Sequence, residues 1–289
     1  MNYVVLSSNG SSIYGFYAPL TCAVWRARGY FPLLLLTEDA ALWEGEPRGR
    51  LIREYCGAQG VYMSHSGGLL SGSATRAQVS RLFAYQVPRL APDDYLLTSD
   101  IDMWPIGPWV GGSRDAGKAL QIYYANAYEK TGRVHFPMCY LGATQKTWAE
   151  IMTAGPARDL DEAVKLCRHR PGRPENAGLV HLVPGSREAI PLDIWDFDES
   201  YFGECLRAWP GYPDACQLIP RDMRRPGERR IDRSAWSQPL SLEPYADAHL
   251  LRPGHDRAHW QALRALFIRL VPEFATFADE YYARFMGSP

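Results

Sequence analysis

The sequence predicts an α/β fold in which a mostly parallel central sheet is flanked by helices, because buried strands and helices alternate along it. Short, continuous apolar runs at residues 3–6, 31–36 and 95–99 have the length and composition of strands covered on both faces. Apolar residues with helical spacing lie between them, at residues 13–28 and 74–84. Strands joined through helices pair in parallel, since each crossover returns the chain to the same edge of the sheet.

The remaining elements are less regular but continue the same alternation. Further strands are expected at residues 61–63, 119–124 and 138–141, further helices at residues 51–55, 145–153, 160–168, 259–270 and 274–286, and a short strand and a helix within 192–209. No internal repeat or low-complexity tract divides the 289 residues. The sequence therefore predicts one domain at residues 1–262, with a helical C-terminal extension at residues 263–289 packed on it.

The composition argues against nucleic acid and membrane surfaces as partners. The formal net charge is −1, with 46% hydrophobic and 22% charged residues, which are ordinary values for a globular protein. A chain without a basic excess lacks the electrostatic footprint that binds nucleic acid or an anionic membrane. Any phosphate must then be bound locally, by a metal ion or by a few arginines.

The cysteines predict a reducing compartment. They are scattered without a C-x-x-C pair, which indicates neither a zinc site nor a disulfide scaffold, and we expect buried free thiols. The six are Cys22, Cys56, Cys139, Cys167, Cys205 and Cys216. The first residues enter a strand without a basic leader, and the apolar run at residues 31–36 is too short to cross a bilayer. We therefore expect a cytoplasmic protein with no membrane span.

Two aspartates follow the apolar run at residues 95–99 and mark its end as a candidate site. Side chains alternate between the two faces of a strand, so Asp100 and Asp102 are expected to point the same way. Like charges this close repel unless a cation lies between them or one is protonated. Carboxylate oxygens suit Mg²⁺ or Mn²⁺. The pair therefore predicts a divalent metal that carries a phosphorylated ligand, although a solvent-exposed turn would use the same residues.

The segment at residues 95–105, with the letters YLLTSDIDMWP, resembles the D-x-D segment of the GT-A type glycosyltransferases. The resemblance is closest to small single-domain enzymes of large algal viruses and some bacteria. It covers residues 3–262 and is strongest at residues 80–105 and 245–260. It implies an enzyme that transfers a sugar from a nucleotide diphosphate, with a UDP-sugar as the expected donor, to a hydroxyl of a glycan acceptor. It also implies Mn²⁺ or Mg²⁺ on the donor diphosphate.

The resemblance implies nucleotide-sugar contacts from the first strand end, from the helix before the D-x-D strand and from the C-terminal part. Hydroxyls and an amide would read the base and ribose, an aromatic ring would stack on the base, and arginines would hold the phosphates or the sugar. Each residue type also has an ordinary use, as a helix cap, a core aromatic or a solvated arginine. The expected contacts are Ser7, Ser8, Asn9, Tyr14, Arg81, Ser99, Asp100, Ile101, Asp102 and Arg252.

The same resemblance implies a third metal ligand from the C-terminal part of the chain. His249, in the segment D-A-H-L-L-R-P-G, is the expected ligand beside Asp100 and Asp102, with His255 as the second choice. A neutral imidazole binds Mn²⁺ well, although it is softer than a carboxylate. The metal set is therefore expected to combine two carboxylates with one imidazole.

Two acids at the start of a helix are expected on the acceptor side. In the enzymes that the chain resembles, an acid there either deprotonates the acceptor hydroxyl or lines the donor sugar, and Asp198 and Glu199 match that position. Asp193 and Asp196 are alternatives. Deprotonation requires an ionised carboxylate within hydrogen-bond reach of the attacking oxygen. Acids in the first turn of a helix also stabilise its dipole without any catalytic role.

An arginine-rich run at residues 221–233 has two interpretations. It could close over the phosphates as a lid or bind an anionic acceptor. A solvated basic loop is the more ordinary interpretation, since charge runs usually face water. Trp104 and residues 135–140 are candidates for the acceptor site, with the core as the alternative for Trp104.

Three other functions remain open on the sequence. A catalytically silent module that binds a nucleotide sugar or a glycan would keep most of the same residues. A sugar nucleotidylyltransferase needs a glycine-rich, basic loop after the first strand, whereas residues 7–12 contain one glycine and no lysine or arginine. A haloacid-dehalogenase-like phosphatase also uses a D-x-D, but normally on its first strand.

Overall fold

A seven-stranded sheet forms the centre of the protein in a computed structural model, which describes residues 1–10, 12–68, 73–112, 114–129, 135–169, 180–182, 189–191 and 196–288. In chain order the strands are β1 (Asn2–Ser8), β2 (Phe31–Leu36), β3 (Tyr62–His65), β4 (Tyr95–Thr98), β5 (Met103–Pro105), β6 (Leu120–Tyr123), β7 (Leu141–Thr144), β8 (Val180–Leu182), β9 (Ala189–Pro191), β10 (Cys216–Ile219), β11 (Arg229–Ile231) and β12 (Tyr245–His249).

The helices lie between these strands and at the C-terminus. They are α1 (Ser12–Gly15), α2 (Ala18–Ala27), α3 (Ala40–Gly45), α4 (Pro47–Ala58), α5 (Ala74–Ser80), α6 (Trp109–Gly112), α7 (Gln145–Thr153), α8 (Leu160–His169), α9 (Phe197–Ala208), α10 (Arg257–Leu270) and α11 (Ala275–Gly287). Short 3₁₀ helices lie at Arg81–Gln86, Arg233–Ala235 and Pro272–Phe274.

The helix expected at residues 13–28 is interrupted. α1 ends at Gly15 and α2 begins at Ala18, with Pro19 in its first turn. A proline is tolerated there because the first N–H groups of a helix have no intrahelical acceptor. Pro19 therefore fixes the start of α2, because proline fits the first turn of a helix but disrupts its interior.

The strand expected at residues 138–141 begins later than its apolar pattern suggests. Tyr140 has a φ of 72°, in the left-handed region, so it cannot belong to a regular strand, and β7 begins with the next residue. The short strand expected near residue 192 lies outside the described residues.

The strand order of the central sheet is β10-β6-β7-β4-β1-β2-β3. Four pairings are parallel, and β7 is antiparallel to both β4 and β6. The predicted α/β architecture, a mostly parallel sheet flanked by helices, is confirmed. The chain passes from β1 outward to β3 and then returns to β4 on the other side of β1. The order therefore reverses between β1 and β4, and ligands of open α/β sheets bind in the crevice at the carboxyl ends of such strands.

A three-stranded sheet brings a distant part of the chain to this crevice. β12 runs antiparallel to β5, so that His249 pairs with Met103, and β11 lies parallel to β12 on its other side. The prediction of a loop at residues 221–233 is therefore wrong in part, because β11 lies within this segment. β11 has three residues and two of them are arginines, so main-chain pairing holds it and no apolar pattern announces it.

Helices cover both faces of the central sheet. Val4 and Leu6 of β1 point into an apolar cluster that includes α2, α4, α10 and α11, whereas Tyr3 and Val5 point into a second cluster with α5, α7 and α9. Because successive strand residues face opposite sides, a strand covered on both sides is apolar throughout. This explains the continuous apolar runs in the sequence.

The C-terminal helices pack on the first helical segment. Tyr281 and Phe285 of α11 contact the ring of Phe16, with centroid distances of 5.5 and 5.0 Å, and the Tyr281 hydroxyl donates to the Phe16 carbonyl oxygen at 3.1 Å. The domain boundary expected at residue 262 falls inside α10. All six cysteines are buried free thiols. In the part of the chain that the structure describes, none of the helices has the length and apolarity to span a bilayer.

Candidate active site

A cleft of about 380 Å³ opens at the carboxyl ends of β1 and β4, where the strand order reverses. The residues that the sequence predicts for the site line this cleft, with the exception of Ser99. Ser99 is fully buried, and its hydroxyl donates to the main-chain oxygen of Asp100 at 3.2 Å. The fold therefore brings together predicted residues that lie far apart in the sequence.

Asp100 and Asp102 lie in a turn and not in a strand. β4 ends at Thr98, and the Met103 N–H donates to the Asp100 carbonyl oxygen at 3.2 Å, which closes the turn. The prediction that Asp100 and Asp102 point the same way because strand side chains alternate is therefore wrong in its reason. Both carboxylates nevertheless line the cleft, because the turn between β4 and β5 forms part of its wall.

Arg81 connects the D-x-D turn to the acids of α9. Its guanidinium donates to Asp100 through Nη1 and to Asp198 Oδ2 through Nη2, the latter at 3.0 Å. Burial would lower the pKa of Arg81, but the charges of the two aspartates outweigh it and raise that pKa. For Asp198 burial prevails and raises the pKa of the carboxyl above its usual range, although Arg81 opposes the shift. Arg81 thus remains charged and fixes both aspartates.

His249 reaches Asp102 through the pairing of β12 with β5. Its Nε2 lies 3.7 Å from Asp102 Oδ2, and its Nδ1 lies 3.5 Å from Asp232 Oδ2. Burial lowers the pKa of His249 and so favours the neutral imidazole that can bind a metal ion. Burial would raise the pKa of Asp102, but electrostatic interactions with His249, Arg233 and Arg252 hold it below its usual value. A carboxylate oxygen and an imidazole nitrogen therefore face each other.

Some second choices from the sequence lie elsewhere. The ring of His255 packs against Phe16 and Phe285, at centroid distances of 5.8 and 5.6 Å, and so belongs to the aromatic cluster of the C-terminal helices. Trp104 is fully buried in the core, so its candidacy for the acceptor site is wrong. Asp193 lies outside the described residues.

The end of β1 and Arg252 form one side of the cleft. Ser7, Ser8 and Asn9 line it, and the Ser8 hydroxyl donates to the main-chain oxygen of Asn9 at 2.9 Å. Arg252 donates to the Tyr14 hydroxyl, and its guanidinium lies 5.3 Å from the centroid of the Tyr14 ring. A cation above an aromatic face restrains both groups. This side offers polar groups, a ring and a guanidinium in one place.

A histidine and a tyrosine hold Glu199 in the cleft. His135 Nε2 lies 2.6 Å from Glu199 Oε2, and the Tyr128 hydroxyl donates to Oε1 at 3.3 Å. His135, Asp196 and Glu199 bring ligand atoms within 4.8 Å of one another, a grouping that could hold a cation, whereas among the described residues those of Asp100, Asp102 and His249 do not all come this close. Sequence reasoning included His135 only as part of a segment near the acceptor, because no local signal relates it to an acid 64 residues away.

The arginine-rich segment divides among different environments. Arg224 is exposed, with 91% of its side chain accessible, as a solvated loop predicts. Arg230 is turned inward and donates to the buried Asp247, at 2.8 and 2.9 Å. Arg233 lines the cleft and donates to Asp102 Oδ2 at 2.9 Å. The abundance of arginine indicated phosphate binding by the segment at residues 221–233, but nothing in the sequence distinguished Arg233 from the neighbouring arginines.

The cleft carries more acidic than basic side chains. Its carboxylates are Asp100, Asp102, Asp196, Asp198 and Glu199, and its guanidinium groups are those of Arg81, Arg233 and Arg252. Five carboxylates against three guanidinium groups leave an excess of negative charge. A bound divalent cation would offset that excess, since carboxylates this close otherwise repel or take up protons.

Comparison with solved structures finds glycosyltransferases. GlyE of Streptococcus pneumoniae TIGR4 is similar over 96% of this chain, at 13% identity and a TM-score of 0.49, and this chain spans 65% of its length. The galactosyltransferase LgtC, solved with donor and acceptor sugar analogues, is similar over 94% of this chain and 96% of its own, at 14% identity and a TM-score of 0.45.

A third similar structure is a glycosyltransferase involved in the glycosylation of the major capsid of PBCV-1, with 90% of this chain and 96% of its own covered, 11% identity and a TM-score of 0.34. Neither a protein-family model nor a curated protein matches the chain. These identities and TM-scores are too low to assign a role to any residue.

Proposed function

We propose that this protein is a metal-dependent glycosyltransferase, which transfers a sugar from a nucleotide diphosphate to a hydroxyl of a glycan acceptor. The proposed donor is a UDP-sugar, and the proposed metal is Mn²⁺ or Mg²⁺. One observation carries the proposal: the Asp100–Asp102 pair, His249 and the polar end of β1 converge in one cleft. None of these groups would by itself indicate an activity.

The side-chain types of the cleft suit a hard divalent cation. Asp100 and Asp102 would supply carboxylate oxygens and His249 an imidazole nitrogen, a set that suits Mn²⁺ or Mg²⁺. The excess of carboxylates over guanidinium groups supports the same assignment. When bound, such an ion neutralises charge that develops on the leaving diphosphate.

The other groups of the cleft would bind and orient the donor. The hydroxyls and amide of Ser7, Ser8 and Asn9 can read a base or ribose, and the ring of Tyr14 can stack on the base. Arg252 lies beside Tyr14 and offers a planar fork of donors to the diphosphate. Base, ribose and diphosphate would then lie along one side of the cleft.

Glu199 is the acid that we propose for the acceptor side. His135 and Tyr128 orient its two oxygens, and its carboxylate lines the cleft. It could therefore accept a hydrogen bond from the acceptor hydroxyl or take its proton. Asp198 accepts a hydrogen bond from Arg81, and burial raises the pKa of its carboxyl, so that it is less fully ionised. We therefore propose that Asp198 contacts the donor sugar.

Calorimetric titration with UDP, in the presence and absence of MnCl₂, tests the metal and nucleotide assignments together. We expect UDP binding that requires Mn²⁺ and that is lost in the Asp100→Ala/Asp102→Ala variant. The matched control is Asp279→Ala, which removes a carboxylate that pairs with Arg264 on the C-terminal helices. UDP affinity that is unchanged in the double variant would contradict the metal assignment.

Turnover separates the proposed enzyme from a silent binding module. The intact protein should release free nucleotide from at least one member of a panel of UDP- and GDP-sugars when Mn²⁺ is present. Glu199→Gln should reduce transfer to an acceptor while leaving UDP affinity unchanged, because we assign this acid to the acceptor and not to the nucleotide. Nucleotide binding without release from any donor would favour the silent module.

A further inference from the structure

We propose that Arg233 and a divalent metal ion are alternative partners of one oxygen, Asp102 Oδ2, and that metal binding transfers Arg233 to the diphosphate of the nucleotide. The inference rests on the proposed function and adds to it a residue that no motif assigns. It predicts effects of opposite sign on two binding steps, which a residue with a purely structural role would not produce.

The contacts of Asp102 Oδ2 support the exchange. Arg233 Nη1 donates to this oxygen at 2.9 Å, and His249 Nε2 lies 3.7 Å from the same oxygen. Asp102 is largely buried, with 7% of its side chain accessible, whereas 22% of the Arg233 side chain is accessible. The guanidinium is therefore the more exposed partner of this ion pair.

A metal ion shared by Asp102 and His249 would lie next to the oxygen to which Arg233 donates, since that oxygen is 3.7 Å from His249 Nε2. The guanidinium and the ion are both positive, so each disfavours the other at this position. Arg252 adds a further positive charge, with its Nε 3.9 Å from Oδ2. Because the two positive charges repel each other, the ion would displace Arg233 from Oδ2, and the ion pair would reduce the affinity for the metal alone.

The turn that carries Arg233 is held in place while its side chain can move. Asp232 Oδ1 accepts hydrogen bonds from the N–H and the hydroxyl of Ser234, at 2.9 and 2.6 Å, which fixes the 3₁₀ helix at Arg233–Ala235. The long arginine side chain can thus exchange partners without movement of the main chain.

The diphosphate is the acceptor that remains for the displaced guanidinium. Arg233 and Arg252 both line the cleft beside the predicted metal ligands, where the phosphates of a metal-bound nucleotide would lie. The fork of guanidinium donors matches phosphate oxygens and can bind two of them at once. Loss of Arg233 should therefore favour the metal alone and disfavour the metal–nucleotide complex.

Arg233→Gln, titrated first with MnCl₂ alone and then with UDP at saturating MnCl₂, tests this exchange. We expect Mn²⁺ to bind several-fold more tightly than to the wild-type protein. We expect UDP to bind roughly tenfold more weakly, the loss of about one charge-assisted hydrogen bond. Arg225→Gln is the matched control, because it removes the same charge from an exposed position in the same segment and should change neither affinity.

Arg233→Lys provides a second variant that retains the charge. It should keep Mn²⁺ affinity near that of the wild type, since an ammonium also competes for Asp102, but it should weaken UDP binding because it lacks the fork. Thermal unfolding of each variant establishes that it is folded. Weaker binding of Mn²⁺ by folded Arg233→Gln, or unchanged binding of both ligands, would overturn the exchange while leaving the proposed function intact. A wild-type protein that binds neither Mn²⁺ nor UDP would overturn both.

Discussion

Asp102 and Asp247 are both buried aspartates that face arginines, and they differ in how fully those arginines occupy the carboxylate. Asp247 accepts two hydrogen bonds from Arg221 and two from Arg230, all between 2.8 and 2.9 Å. Its side chain is completely inaccessible, and so is that of Arg221. Both oxygens of Asp247 are therefore saturated.

Asp102 has two arginines and a histidine nearby but is hydrogen-bonded by only one of the three. Arg233 donates to Oδ2 at 2.9 Å, while His249 and Arg252 remain 3.7 and 3.9 Å from that oxygen. Asp102 and these three residues all line the cleft. The carboxylate is charged, partly accessible and incompletely bonded.

The difference separates a structural ion pair from a binding site. A buried carboxylate with four guanidinium hydrogen bonds has no capacity left for a ligand, and its satisfied network fixes β11 against β12. A carboxylate with spare capacity in an open cleft can bind a cation. Asp247 therefore holds in place the strand on which His249 approaches Asp102.

Asp247→Asn should destabilise the protein more than any single substitution in the cleft. It removes a charge from between two buried guanidinium groups, so we expect a loss of about 3–5 kcal/mol in the free energy of unfolding. Urea unfolding followed by tryptophan fluorescence measures it. A loss of less than about 1 kcal/mol would mean that the two aspartates are energetically alike, contrary to their geometry.

Acid should remove the contribution of Asp247 over a defined range of pH. Burial would raise the pKa of Asp247, but Arg230 and Arg221 outweigh it and lower that pKa from 3.8 to about 2. Because the folded state has the lower pKa, the stabilisation is complete above about pH 5 and is lost as the pH falls through about 2.

This shift corresponds to about 2 kcal/mol. The difference in unfolding free energy between the wild type and Asp247→Asn should therefore narrow by about 2 kcal/mol between about pH 5 and about pH 2. Using the difference between the two proteins removes the contributions of other carboxyl groups, which titrate in both. A difference that stays constant over this range would rule out the ionised pair as its source.

Local sequence pattern predicts the central sheet and the D-x-D turn, but it does not predict the pairing of β11, β12 and β5. β1, β2 and β4 are covered on both faces, so each is a continuous apolar run that local pattern detects, and the D-x-D turn follows directly from one of them. The central sheet and the Asp100–Asp102 half of the site were therefore accessible to prediction.

The other half depends on contacts between distant residues. β12 pairs with β5, so that His249 lies opposite Met103, and both strands of this pairing are short. Arg233 follows β11, whose three residues are held by main-chain hydrogen bonds and carry no periodic pattern. Composition could indicate that arginines were abundant, but only the pairing of strands determines which arginine is buried, which is solvated and which faces the cleft.

Asp102→Asn should affect stability far less than Asp247→Asn. Arg233 is left without its partner but can turn towards water, because its side chain is partly accessible, so we expect a loss of about 1 kcal/mol or less. The same substitution should abolish detectable Mn²⁺ binding. Urea unfolding and calorimetric titration on one preparation measure both quantities, and a large loss of stability with retained Mn²⁺ binding would reverse the assignments of the two aspartates.

The carboxylate of Glu199 has a partner at each oxygen, as that of Asp247 has, but it lines the cleft, as that of Asp102 does. Among these substitutions, Tyr128→Phe should have the smallest effect. The Tyr128 hydroxyl donates to Glu199 at 3.3 Å, whereas His135 holds the other oxygen at 2.6 Å. Removing the longer bond leaves the stronger partner in place, so kcat for sugar transfer should fall about two- to fivefold, which corresponds to a weak hydrogen bond. UDP affinity should not change, since we assign Glu199 to the acceptor and not to the nucleotide. His135→Gln, with the same assay, should reduce kcat further. If Tyr128→Phe weakened UDP binding as much as it slowed transfer, Glu199 would belong to the donor site and not to the acceptor site.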